Sequence, residues 1–293
     1  MIVIAHFYNE KYLLPFWLEH HKNIFSHGIL IDSNSTDNSV EIIKDIVPNW
    51  EIVKSPTKLF DSEIMENFIM QIESKYKSEI KIVLNISEFL VIENYKNFQK
   101  ITSQSKFAVW IQAAMMVDLE PSNSNIKNLL REKPHGFWHT DINIYKLKTF
   151  LKFGNKIYRE RLIHNYHNGQ YLPGRHKSKI KNTKRLSRKT AYIKWYNFSP
   201  WNDDFLKRKL SFSNTFSKND IKKQHGFQHL AEYKDIEHLY KFYRKISYRI
   251  PNLTIKNYFL YFYHVKFYPF SFIFKKLLNK LQFNKNLINN FIN

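Results

Sequence analysis

The chain has 293 residues, of which 43% are hydrophobic and 17% aromatic, a composition that favours a packed globular fold and excludes a disordered chain. It contains no cysteine, so a disulfide framework, a thiolate metal site and a cysteine nucleophile are excluded. The N-terminus lacks the basic segment and long apolar run of a secretory signal, and we therefore expect a cytoplasmic protein.

The net charge of +21 is unevenly distributed along the chain. Residues 1–150 carry 16 Lys and Arg against 18 Asp and Glu, whereas residues 151–293 carry 30 against 7. A strongly basic half attracts an anionic partner, which leaves nucleic acid, an anionic membrane surface and a phosphorylated substrate as candidates.

Short apolar strands and amphipathic helices alternate in the first half. The pattern predicts strands at 1–6, 28–34, 50–55 and 81–87, with helices at 12–25, 35–47 and 61–78 between them. Ser35 or Thr36 is expected to cap the second helix. This order is typical of an α/β fold with a mostly parallel sheet and helices on both faces. Ligands of such sheets bind beyond the carboxyl ends of the strands.

The second half is less regular. A strand is expected over 107–118, and a run of eight Lys and Arg without an acid fills 175–189. The aromatic and basic tail at 258–283 is too interrupted to span a membrane. It predicts a basic helical C-terminal extension that lies on an anionic membrane surface, the alternative being a helix packed on the domain.

Polar residues follow three of the predicted strands. "AHFYNEKYLLPFWLEHHKNIFSHGILIDSNSTDNSVEIIK" and the later turn "NISEFL" together resemble family-2-type glycosyltransferases of the GT-A fold. The resemblance covers roughly residues 1–95, and the branch it matches has an Asp-x-Asp-Glu-Phe-Leu turn. It implies a GT-A enzyme whose nucleotide-binding half spans 1–115 and whose acceptor-binding half spans 116–230, before the tail at 231–293.

The activity that the resemblance implies is an inverting sugar transfer in surface polysaccharide or glycoconjugate synthesis. The donor would be a nucleotide-sugar, with UDP-linked donors favoured, and the acceptor a glycan or lipid-linked hydroxyl. The enzyme would be peripheral on the inner face of the membrane. Neither an organic cofactor nor a specific nucleic-acid partner is expected. Two other readings stay open, a weak or inactive module that binds the nucleotide-sugar and a basic nucleic-acid-binding protein.

The residues expected to bind the nucleotide lie at strand ends or in the basic run. They are His6, Tyr8, Asn9, Glu10, Asp32, Asn34, Asp37, Asn85, Ser87, Arg175 and Lys177. An aspartate at a strand end can accept hydrogen bonds from uracil or ribose, whereas arginine suits a diphosphate. The alternatives are ordinary helix capping by Asn9 and Glu10, and a helix-dipole role for Asp32.

The metal-binding turn of the family is altered in this chain. Asn85 and Ser87 occupy the aspartate positions and only Glu88 supplies a carboxylate. Three outcomes stay open: Mg²⁺ or Mn²⁺ held by Glu88 and the diphosphate, a metal-independent enzyme in which Arg or Lys neutralises the diphosphate, or an inactive protein. The resemblance also implies a late histidine as an additional metal ligand, and the candidates are His225 and His229, spaced i and i+4.

An inverting transfer requires a general base beside the acceptor hydroxyl. Acidic residues are scarce in the second half, and we expect the base to be Asp118, at the end of a strand, or Asp141, in "HGFWHTD".

Overall fold

The computed structural model describes residues 1–121, 126–138, 159–211, 217, 220 and 233–251. The first half of the chain contains β1 (Ile2–Phe7), α1 (Leu14–His21), β2 (His27–Asp32), α2 (Ser39–Ile46), β3 (Glu51–Lys54), α3 (Ser62–Lys75), β4 (Lys81–Asn85), β5 (Glu88–Ile92) and α4 (Tyr95–Thr102). The second half contains β6 (Ala108–Val117), α5 (Leu129–Glu132), β7 (His135–Trp138), β8 (Glu160–His164), β9 (Lys184–Arg185), β10 (Ala191–Phe198), α6 (Asp203–Ser211), α7 (Tyr233–Ile246) and β11 (Tyr248–Arg249).

The first four strands form a parallel sheet in the order β3-β2-β1-β4. His6 lies opposite Asn85 in this register, and Phe7 lies opposite Asp32. The carboxyl ends of β1, β2 and β4 therefore reach the same edge of the sheet. β8 continues the sheet antiparallel to β4 and to β6, which places the start of β8 towards that edge.

The long strand β6 belongs to two sheet segments. Its first half pairs with β8 and β9, and its second half pairs with β7 and β10. β10 also pairs with β5, the strand that follows the turn after β4. The boundary expected between residues 115 and 116 falls inside β6, and the division into two halves stays a prediction.

Helices cover both faces of the parallel sheet. α1 buries Leu14, Trp17 and Leu18 in one core cluster, whereas α3 buries Met65 and Ile69 in a separate cluster. The apolar spacing of these helices produces the buried faces, since residues three or four apart share one side of a helix. The predicted α/β class, with a mostly parallel sheet and helices on both faces, is confirmed.

The expected cap of α2 is wrong. The helix begins at Ser39, and the backbone N–H groups of Ser35 and Thr36 instead donate to Asp32 (2.8 Å) and Asn9 (2.8 Å). These contacts hold 35–37 as a loop against the end of β1. Asp37 accepts from the Ser39 N–H at 3.0 Å in the first turn.

The C-terminal extension is described only in part. α7 is helical as expected, and the aromatic tail at 258–283 lies outside the described residues. Within the ranges that the structure describes, none of the helices has the length and apolar character needed to cross a bilayer.

Candidate active site

The loops after β1 and β2 interlock at the sheet edge. Asn9 has a left-handed backbone (φ 51°), and its side-chain oxygen accepts from the N–H groups of Thr36 and Asp37. The Asp37 carboxylate in turn accepts from the N–H of Lys11 at 3.2 Å. The structure thus brings Asn9 and Asp37 together, and the contacts it shows for them support the loops.

Asp32 ends β2 and is 8% exposed. Its Oδ1 accepts from the Ser35 N–H at 2.8 Å, and among the described residues no donor reaches Oδ2. Asp32 therefore combines a fixed orientation with an available acceptor, which suits recognition of a base or ribose hydroxyl. Tyr8 is half-buried nearby in sequence, whereas Asn34 is exposed and has φ 64°.

Glu88 forms a buried ion pair. Its Oε2 accepts from Arg161 Nε and its Oε1 from Arg161 Nη2, both at 2.7 Å, and the two side chains are 4% and 3% exposed. Oε2 also accepts from the Asn85 N–H at 2.8 Å. The carboxylate therefore closes the turn after β4 and neutralises Arg161.

A second arginine covers the neighbouring Asn85. Arg175 Nη2 donates to Asn85 Oδ1 at 2.9 Å, while its Nη1 lies 3.1 Å from both carboxylate oxygens of Glu66. Arg175 is 3% exposed, and Nη2 also lies 3.4 Å from His6 Nδ1. The predicted residues His6, Asn85 and Arg175 thus meet at the ends of β1 and β4. Burial, reinforced by Arg175, lowers the pKa of His6 well below its usual value and keeps the ring neutral.

Two other predicted residues have minor contacts at this edge. Lys177 is exposed, and its backbone carbonyl accepts from the Leu172 N–H at 3.1 Å. Ser87 is half-buried, and its carbonyl accepts from the Tyr196 N–H at 2.7 Å, which ties the turn to β10.

The turn after β4 does not fit a divalent cation. A hard cation requires carboxylate or carbonyl oxygens that are free to coordinate it. The oxygens of Glu88 accept from Arg161, and Asn85 Oδ1 accepts from Arg175, so two guanidinium groups stand where a cation would bind. In the parts of the chain that the structure covers, no group of three or more His, Asp or Glu could hold a metal. The predicted ligands His225 and His229 lie outside the described residues.

Sequence reasoning missed two cationic residues at the start of β8. Arg159 Nη1 lies 2.6 Å from His176 Nε2, and its guanidinium covers the Trp195 ring at 4.4 Å. Arg161 Nη1 donates to the Gly174 carbonyl at 2.9 Å. Burial and the repulsion of Arg161 lower the pKa of Arg159 to about 10, so it stays charged at neutral pH. The available signal was the pair of arginines, two residues apart, ahead of the apolar Leu162 and Ile163 in "YRERLIH".

Sequence reasoning also missed two cationic residues on helix α6, Arg208 and Lys209. Arg208 pairs with Oε1 of the buried Glu10, whose backbone N–H donates to Ser39 Oγ at 3.0 Å. Burial raises the pKa of Glu10 against the opposing charge of Arg208. The adjacent Lys209 donates to Asn197 Oδ1 at 2.9 Å, and burial, with repulsion from Arg208, lowers its pKa to about 7.

Asp118 immediately follows β6. Trp195 of β10 pairs with both Glu88 and Met115, so Glu88 lies level with Met115, and Asp118 follows three residues later, about 10 Å farther along the strand. Its carboxylate accepts from the Ser199 hydroxyl, the Trp201 N–H (2.9 Å) and Lys133 Nζ (2.9 Å). These are the contacts of a structural acid, and the role of Asp118 as a base stays a prediction. Asp141 lies outside the described residues.

Comparison with known proteins gives distant structural likenesses. No family model and no curated protein matches the chain. S. aureus TarS 1-349 is 13% identical with a TM-score of 0.40, over 92% of this chain and 81% of that one. Its complex with UDP-GlcNAc is 13% identical with a TM-score of 0.37, over 90% and 78%. Glucosyl-3-phosphoglycerate synthase from Mycobacterium tuberculosis, in complex with Mn²⁺, UDP and glucosyl-3-phosphoglycerate, is 12% identical with a TM-score of 0.32, over 56% of each chain.

Proposed function

We propose that this protein is a GT-A-type glycosyltransferase that takes a sugar from a nucleotide-sugar donor. The observation that carries the proposal is the alignment of the ends of β1, β2 and β4. It brings His6, Asn85 and the buried Arg175 together, next to Asp32 with its available carboxylate oxygen. A carboxylate acceptor suits the nucleoside, and a guanidinium suits the diphosphate.

The proposed reaction is a single displacement on a donor that we expect to be UDP-linked. The oxygen of the acceptor hydroxyl bonds to the anomeric carbon while the bond from that carbon to the diphosphate oxygen breaks. The hydroxyl proton passes to a base, and the nucleoside diphosphate leaves with the bonding electron pair. The configuration at the anomeric carbon inverts. The predicted base is Asp118 or Asp141, and the predicted acceptor is a glycan or a lipid-linked sugar.

A donor panel tests the proposal directly. UDP- and GDP-sugars are titrated into the protein by calorimetry, with Mn²⁺ and with EDTA, and slow donor hydrolysis is followed by release of the nucleoside diphosphate. We expect saturable binding and hydrolysis of at least one UDP-sugar. Absence of binding and hydrolysis for every donor in both conditions would refute the proposed function.

We further propose that the protein acts at the inner face of a membrane. The basic, aromatic tail supports this, and α7 carries Arg244 and Lys245 in its last turn. The test is co-sedimentation of the full chain with vesicles. Binding to phosphatidylglycerol vesicles that weakens with salt is expected, with little binding to phosphatidylcholine alone. Equal sedimentation with both vesicle types would contradict an electrostatic membrane contact.

A non-catalytic nucleotide-sugar-binding module is the second candidate. Two observations favour it: the engagement of Glu88 by Arg161 and the engagement of Asp118 by three donors. Such a module would bind a UDP-sugar in the donor panel without hydrolysing it or transferring it to an acceptor. Measured turnover above the uncatalysed rate would exclude it.

A further inference from the structure

Four side chains form what we call the arginine cluster, defined as Arg159, Arg161, Arg175 and His176. β8 runs antiparallel to β4, so Arg159 and Arg161 lie towards the edge where β4 ends. His176 lies between two of the arginines, because its Nε2 lies 2.6 Å from Arg159 Nη1 and its Nδ1 lies 3.3 Å from Arg161 Nη1. Three guanidinium groups thus converge on the strand ends where the donor diphosphate would bind.

The charges of the arginine cluster are only partly balanced. Arg161 is paired with Glu88, and Arg175 is paired with Glu66. Arg159 contacts His176 and the Trp195 ring instead, and no carboxylate among the described residues pairs with it. The cluster therefore holds one guanidinium charge in excess of its carboxylates.

His176 adds no further charge to the arginine cluster. Burial, followed by the repulsion of Arg161 and Arg159, lowers its pKa well below the usual value. Since Arg159 donates to Nε2 in the shorter contact, the ring proton belongs on Nδ1, which can donate to the Glu160 carbonyl oxygen at 3.3 Å. The approach of Arg161 Nη1 to Nδ1 at 3.3 Å then brings two donors together and is not a hydrogen bond. The neutral ring thus orients Arg159.

Arg175 supplies a second observation. Its Nε is buried and has no hydrogen-bond partner within the described portion of the chain. An unsatisfied buried donor is costly, and an acceptor oxygen from a ligand would relieve that cost. A buried N–H donor of Arg175 without an acceptor, together with the Arg159 guanidinium that has no carboxylate partner among the described residues, favours the binding of an anionic ligand.

We propose that the arginine cluster, and no divalent cation, neutralises the diphosphate of the donor, with Arg159 as the principal donor of hydrogen bonds to it. The inference rests on the proposed function and concerns the same site. Guanidinium groups offer parallel N–H donors that match phosphate oxygens, and they stay charged through the reaction. As the bond to the sugar breaks, the charge that develops on the leaving diphosphate is stabilised by these groups.

The test is calorimetric titration of UDP, uridine and inorganic pyrophosphate into the full chain, in EDTA and in Mn²⁺. We expect UDP to bind in EDTA with an affinity within about threefold of that in Mn²⁺. Arg159→Gln is expected to weaken UDP and pyrophosphate about tenfold to a hundredfold, the range for loss of a charge-assisted hydrogen bond, and to leave uridine unchanged. The matched control is Arg131→Gln, which removes an exposed charge on α5 and should change none of the three affinities.

Two further measurements keep the test decisive if Arg159→Gln fails to fold. Arg159→Lys keeps the charge but loses the planar fork, so it should fall between wild type and Arg159→Gln. The EDTA titration of the wild type requires no substitution at all. UDP binding that appears only with Mn²⁺, or unchanged UDP affinity in Arg159→Gln, would overturn the inference while leaving the proposed function intact. Failure of every nucleotide to bind in both conditions would instead refute the proposed function and the inference with it.

Discussion

Replacing Glu88 by Gln tests whether this carboxylate belongs to an ion pair or to a metal site. The substitution keeps the shape of the side chain and removes its charge. Arg161 would then be a buried guanidinium without a counter-ion, since its side chain is 3% exposed and Glu88 supplies the two bonds of 2.7 Å. The Asn85 N–H would also lose its charged acceptor.

The expected cost follows from the burial of the pair. Removing one partner of a buried ion pair lowers the free energy of unfolding by about 3–5 kcal/mol, because the remaining charge stays desolvated. Arg161→Gln should cost a similar amount. The double variant should be about 1–3 kcal/mol more stable than the sum of the two single changes, because neither charge is left alone.

The assay is urea unfolding followed by circular dichroism, repeated with EDTA and with Mn²⁺. Glu19→Gln is the control, because Glu19 forms an exposed pair with Lys22 and its loss should cost less than about 1 kcal/mol. A metal held by Glu88 at a hundredfold excess over its Kd would stabilise the wild type by about 2.7 kcal/mol. Mn²⁺ stabilisation of wild type that disappears in Glu88→Gln, or a cost for Glu88→Gln within about 1 kcal/mol of zero, would refute the reasoning.

Three other substitutions have defined outcomes. Burial lowers the pKa of Lys209 to about 7, so above that pH the folded protein binds fewer protons than the unfolded chain. The free energy of unfolding should therefore rise by roughly 2 kcal/mol between pH 7 and 9, and this rise should vanish in Lys209→Met. The same pH dependence in the variant and the wild type, measured by urea unfolding, would contradict this. Asp118→Asn should lower the free energy of unfolding by about 2–4 kcal/mol, because Lys133 loses its charged partner, and the folded protein that remains should hydrolyse the donor at a rate near that of the wild type. A selective loss of transfer to the acceptor, with the free energy of unfolding unchanged, would instead identify Asp118 as the base. Asp32→Asn keeps the acceptor for the Ser35 N–H but should weaken the binding of UDP, measured by calorimetry, about tenfold, whereas the control Asp45→Asn, at an exposed position, should leave it unchanged. Equal UDP affinities for Asp32→Asn and the wild type would show that Asp32 does not belong to the nucleotide site.

Local pattern predicted the framework well. Apolar spacing identified β1 to β4 and the three helices between them. A helix or strand that buries one face repeats its apolar residues at the period of that element, whatever it packs against. Capping was less predictable. Ser35 and Thr36 have the right chemistry for a helix cap. Both instead bond to Asn9, which is at least 26 residues away in the chain, and the helix begins only at Ser39.

Strand-end residues were predictable as a group, since parallel strands end at one edge of a sheet. Their individual roles were not. A metal held by Glu88 was one of the three outcomes left open, and the structure pairs Glu88 with Arg161, 73 residues later in the chain. Glu66 and Arg175 are 109 residues apart and Glu10 and Arg208 are 198 apart, separations at which no local pattern links the partners.

The sequence by itself determined the α/β class, the positions of the strand ends and the presence of a basic second half, because these depend on periodicity and composition. Only the tertiary structure decided where the positive charge is used. Arg161 and Arg175 become counter-ions of Glu88 and Glu66, and Arg159 is left without a carboxylate among the described residues. The physical reason is that the net charge of a site depends on which buried groups fold to within a few ångströms of one another, and that distance is set by packing across the sheet.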